Sequence, residues 1–109
     1  MYVNFEANNK AYKLRLNTRN VVALEKTLGA NPLSIFDVKG EQMPSVTAMV
    51  AVLHAALQQY HHGVSVNDAY EIFDAYIDDG HSVDEFIYII LDIYKESGLI
   101  PKEVNTEKN

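Results

Sequence analysis

Cysteine is absent from this 109-residue chain. That excludes disulfides, cysteine-ligated zinc, iron–sulfur clusters and thiol nucleophiles, and it fits a reducing compartment. A long apolar run is missing as well. The longest nearly uncharged stretch, Met43 to Gln59, is broken by Pro44, Ser45, Thr47, His54 and two glutamines, which makes it too polar and too short to span a bilayer. The N-terminus, MYVNFEANNKAYKLRL, has no basic segment leading into an apolar one, so no signal peptide is expected. No two of the five glycines lie close together, so there is no glycine-rich loop to cradle a phosphate. Lysine and arginine are missing from the whole span between Lys39 and Lys95.

What is present is an ordinary globular balance, 48% apolar and 22% charged residues, in a length that suits one domain. The net charge of −6 is the wrong sign for nonspecific nucleic-acid binding. Its distribution is uneven: residues 1–40 carry six bases and three acids, whereas residues 41–109 carry three bases and twelve acids. Two readings follow. The acids simply solubilise a helical surface, or the chain is a dipole whose basic half, with Arg15 and Arg19, stacks on the acidic half of another copy, with Asp74 and Asp78.

Period-two alternation marks two half-buried strands, Tyr2 to Ala7 and Tyr12 to Leu16. Asn8 and Asn9 between them tolerate the left-handed backbone of a tight turn. An isolated hairpin is marginal in water, so it must lean on helices or on another chain. Asn17 or Thr18 then caps a first helix that ends at Gly29, and Asn31-Pro32 starts a short turn over Leu33 to Phe36. Asp37 to Gln42 reads as a polar loop. Pro44 opens a second helix to about Tyr60, with no charged residue inside it. Apolar nearly all round, it is either the central helix or partly covered by a partner.

Ser65 and Asp68 form a capping box for a third helix. That helix puts Val66, Ala69, Tyr70, Phe73, Tyr76 and Ile77 on one face and Asp68, Glu71, Asp74 and Asp78 on the other. Gly80 stops it and Ser82 caps the fourth helix, which closes with Lys95, Gly98 and Pro101. Along that helix Val83, Phe86, Ile87, Ile90 and Tyr94 form one stripe, with Ile89 and Ile93 on a flank. Seven of the eleven aromatics lie between Tyr60 and Tyr94, as either a well-filled core or an interface. The expected architecture is mainly α: residues 1–101 form a small domain of about four helices with an N-terminal β-hairpin, and residues 102–109 form a polar, disordered tail.

Chemistry finds little foothold. His61 and His62 are adjacent and diverge by ~100° on a helix, and no histidine pair has the i, i+4 spacing of a helical zinc site. The segment DAYIDDGHSVDEF (residues 74–86) fails the EF-hand pattern in both registers that its acids and Gly80 suggest. Each of the serines Ser34, Ser45, Ser65, Ser82 and Ser97 has a role as a cap or terminal residue, and none lies in a nucleophile elbow. No enzyme activity, metal or cofactor is expected.

A combination of segments nevertheless stands out. Leu14-Arg15-Leu16 leads into Asn17-Thr18-Arg19-Asn20 and then Leu24-Glu25-Lys26-Thr27-Leu28-Gly29. Asn31-Pro32-Leu33-Ser34-Ile35-Phe36, the stretch VAVLHAALQQYHHGVSVNDAYEIFDAYID (residues 50–78), and Ile93 to Pro101 follow. Together they resemble the tail assembly chaperones of long-tailed phages and prophages of Gram-positive bacteria, over about Tyr12 to Lys102. The resemblance implies a non-enzymatic protein of the host bacterial cytoplasm, absent from the mature virion. Such a protein coats and solubilises the tape measure protein and helps recruit tail tube protein. It implies partners among those two proteins and a homo-oligomer, with no membrane or nucleic acid. Such chaperones are often made in two lengths by frameshifting, and this chain would be the short form. An apolar groove for the tape measure helix is expected from Met49, Leu53, Leu57, Ile89 and Ile93, with Met43 beside them, although the same residues also suit a plain core. The rival expectation is a small acidic regulator or nucleic-acid mimic that docks its carboxylates on a basic partner. A third is a structural tail subunit.

Overall fold

In the computed structural model, which describes residues 1–37 and 43–102, an antiparallel hairpin leans on four α-helices. Strands β1 (Val3–Ala7) and β2 (Lys10–Leu14) pair with Val3 opposite Leu14 and Ala7 opposite Lys10. Asn8 and Asn9 carry φ of 54° and 61°, the left-handed pair that a two-residue turn between right-twisted strands requires. That turn sets β2 two residues earlier than the alternation suggests. After Leu14 the chain leaves the ladder, and the Arg15 and Leu16 amides donate instead to the Ala56 carbonyl (3.0 Å) and the Ser97 hydroxyl (2.9 Å).

Helix α1 (Thr18–Leu28) starts at Asn17, whose side chain accepts from the Asn20 amide, and ends at Gly29 with φ 75°. Asn31 caps a short 3-10 turn over Pro32–Phe36. Helix α2 (Val46–Leu57) is capped by Ser45, so Pro44 precedes the helix rather than opening it. It also stops before Tyr60. The Gln58 side-chain amide donates to the carbonyls of His54 and Val64, both at 2.9 Å, and so ties the helix end to the following turn. This helix packs against α1, β2 and the two later helices, with Met49, Val52, Leu53, Ala56 and Leu57 fully buried. It is the central helix.

Helices α3 (Val66–Asp78) and α4 (Val83–Glu96) both begin with reciprocal capping boxes, Ser65 with Asp68 and Ser82 with Glu85. At the end of α4 the Gly98 amide donates to the Lys95 carbonyl and the Leu99 amide to the Tyr94 carbonyl, a Schellman ending that needs the left-handed backbone Gly98 supplies at φ 81°. The buried side of α4 comprises Phe86, Ile90, Ile93 and Tyr94. Ile93 is therefore interior, whereas Val83 and Ile87 from the expected stripe are only half-buried. The cause is the position of α4 against both β1 and α2: Phe86 points at Phe5, Phe73 and Tyr76, with ring centroids 5.2–5.8 Å away. The Tyr94 hydroxyl, buried on the same helix, donates to the Pro32 carbonyl at 2.8 Å, satisfying a group that would be costly to bury alone. Burial pushes that phenol well above its ordinary range.

The expected polar loop falls on residues 38–42 for all but Asp37, and the expected tail on residues 103–109 for all but Lys102. Both stretches lie outside the described residues.

Candidate docking surface

The residues expected to form an apolar groove sit elsewhere. Met49, Leu53, Leu57 and Ile93 are fully buried, and Met43 and Ile89 are half-buried against the core. In this fold they are interior packing and present no open groove. The charged residues expected at a self-contact divide: Arg19, Asp74 and Asp78 are exposed, whereas Arg15 is half-buried with its Nε 3.5 Å from the Glu96 carbonyl.

Besides the Tyr2–Tyr60 pair, whose rings meet edge-on at 5.5 Å, apolar side chains with exposed members line two clefts among the described residues. The first is a cleft between the start of α2 and the middle of α3, lined by Val46, Val50, Tyr70 and Phe73 with Thr47 and Asp74 at its edge. Val46 is 48% exposed, Tyr70 52%, and Val66, one turn before Tyr70, 44%. Tyr70 and Val66 thus leave the core face on which the α3 pattern places them. Phe73 and Tyr76 take that face because they meet Phe86 of α4, and the helix can turn only one stripe inward.

The second is on α4, where Phe36 from the 3-10 turn lies beside Ile87, Tyr88 and Leu91, with Asp84 and Glu85 at one end. Tyr88 is 69% exposed, while Phe36, Ile87 and Leu91 beside it are half-buried. Its spacing carried the signal: two residues from both Phe86 and Ile90, it cannot share their face.

Between the hairpin and α3 is a hollow of about 360 Å³, in which Lys10 shares the lining with Asp68 and Glu71 around Ala7, Tyr12, Val64 and Ile72. Its mixed charge makes it a poorer apolar docking surface than the two clefts. Among the described residues no group of three or more His, Asp or Glu side chains is placed to hold a metal ion, and no helix is long and apolar enough to cross a membrane.

One histidine has a defined structural role. The Lys13 amide, on the outer edge of β2, donates to His61 Nε2 at 3.0 Å, and the His61 ring meets Tyr12 edge-on at 5.3 Å. Lys13 extends over the rings of Tyr2 and Tyr60. An imidazole that accepts at Nε2 must be neutral there. Burial first, and the Lys13 charge second, hold the His61 pKa below its ordinary value of 6.5. A group whose pKa is lowered by folding stabilises the fold fully above its unfolded value, and that contribution is lost as the pH falls through the folded one. Thermal melts of the wild type and of His61→Gln should therefore differ most near pH 7.5 and converge toward pH 5. Parallel curves across that window would remove His61 from the account.

The geometry defines a small helical domain, fronted by a β-hairpin, whose distinguishing surface is apolar and aromatic on an acidic body. A protein-family model described as a family of unknown function (DUF6096) matches residues 5–109, and the chain belongs to that family. Neither the curated proteins nor the solved structures contain a match to it.

Proposed function

We propose that this chain is a tail assembly chaperone of a phage or prophage. In this reading it acts without catalysis or cofactor, by binding the tape measure protein, keeping it soluble and helping to recruit tail tube protein around it. It works as a homo-oligomer in the host bacterial cytoplasm and is left out of the mature virion. The single observation that carries this reading is the exposed Val46–Val66–Tyr70 surface over the α2–α3 cleft. Clefts between helices receive the apolar face of an amphipathic helix, and a long helical rod offers many such faces. Asp74 borders that cleft, and Asp68, Glu71 and Asp78 are exposed elsewhere on α3, charge that suits a protein that must keep an apolar client in solution.

The test is co-expression with the tape measure protein of the same phage genome. Recovery of the client in the soluble fraction, bound to the wild-type chain and lost with Val46→Asp/Tyr70→Asp, is the expected result. A client that stays insoluble alongside well-folded chaperone would overturn the reading.

The same exposed carboxylates favour a second reading, in which the chain is an acidic regulator that docks on a basic partner. Salt separates the two: a charge-driven complex weakens steeply between low and high ionic strength, whereas an apolar helix contact does not.

A further inference from the structure

We infer that the α4 cleft receives the exposed face of α1 from a second copy of this chain. This deepens the self-association in the reading above by naming its residues, and it does not depend on which client the protein serves. On α1, Arg19, Val22, Ala23 and Lys26 fall at i, i+3, i+4 and i+7, all exposed, so they form one stripe with a small apolar centre and a base at each end. On α4, Asp84, Ile87, Tyr88 and Leu91 fall at the same four intervals. Phe36 widens the apolar part, and Glu85 adds a second carboxylate.

The two stripes are complementary in their apolar parts, and in charge at the end that carries Asp84 and Glu85. One is basic with a narrow apolar ridge, and the other is acidic with an apolar hollow flanked by aromatic rings. Ridge into groove is how helices pack, and opposite charge at the rim fixes which surfaces meet. Asp74, exposed as well, borders the α2–α3 cleft instead, the surface assigned above to the client. Because the two patches differ, the contact joins unlike faces of identical chains. A single helix-on-helix contact is smaller than the roughly 800 Å² per partner of a stable complex, so the association depends on concentration and is suppressed by salt.

Sedimentation of the full-length chain tests this. At low salt the weight-average mass should rise between micromolar and millimolar protein, and at high salt it should fall back toward that of the monomer. Arg19→Glu/Lys26→Glu, Asp84→Lys and Tyr88→Ser should each weaken association about tenfold or more, with unchanged circular dichroism. Mixing the first two variants in equal amounts should restore it, because the acidic α1 of one then meets the basic cleft of the other. A wild type that stays monomeric throughout, variants that associate as the wild type does, or a mixture that fails to recover would each overturn the proposal. A monomeric wild type would also remove the homo-oligomer from the reading above, whereas solubilisation of the tape measure protein, read by co-expression, fails or stands separately.

Discussion

Phe86→Ala will lower the stability of the domain by about 3–5 kcal/mol, the range for removing a fully buried aromatic ring. Phe86 is fully buried, and its ring touches those of Phe5 on β1 and of Phe73 and Tyr76 on α3. Three elements therefore lose a shared packing centre at once, in edge-to-face contacts that add to simple burial. Domains of this size hold about 5–15 kcal/mol in total, so the variant should sit near its unfolding threshold at moderate temperature. Urea unfolding followed by circular dichroism reads the effect directly. A loss below about 1 kcal/mol would mean that the site collapses around the vacancy, and the ring cluster would not be the centre described above.

The second large effect separates core from surface. Leu53→Ala should cost about 2–5 kcal/mol, because Leu53 is fully buried on the central helix. Tyr70→Ala should change stability by only about ±0.5 kcal/mol, as exposed substitutions usually do, while sharply weakening capture of an apolar helical client. The two variants thus move different observables: denaturation midpoint for one, client solubility for the other. If Leu53→Ala kept its midpoint and Tyr70→Ala lost several kcal/mol, the assignment of interior and docking surface would be reversed.

Much of the fold is legible in the sequence because its punctuation is local. Asn8-Asn9, Asn17, Asn31-Pro32, Ser65 with Asp68, and Gly98 each act within a few residues, and each is found in the turn or helix end it suggests. The boundaries that shift have distant causes. Strand β2 ends at Leu14 because Ala56 and Ser97 take the next two amides. Helix α2 ends at Leu57, where Gln58 reaches across to Val64.

The candidate site is less legible for a related reason. Apolar spacing tells which residues share a helix face, but a helix such as α3 or α4 carries more apolar residues than one face can bury. Only the arrangement of the neighbouring helices decides which are left over. So Leu53 and Ile93 read as groove and are interior, while Tyr70 reads as interior and is half in water.

The anchoring of the hairpin sets an order of events during synthesis. Residues 1–16 leave the ribosome well before α4, yet Asn8 bonds to Asp79 at 2.8 Å and Leu16 to Ser97 at 2.9 Å, separations of 71 and 81 positions along the chain. Phe5 likewise waits for Phe86. A two-stranded ribbon without those partners is only marginally stable, and contacts this remote in sequence form late because a long loop must close first. The nascent chain therefore carries an unfinished edge until α4 has emerged. Any shortened product that stops before Ser97 would release a ribbon with unpaired amides and a bare Phe5, the kind of surface on which chains aggregate.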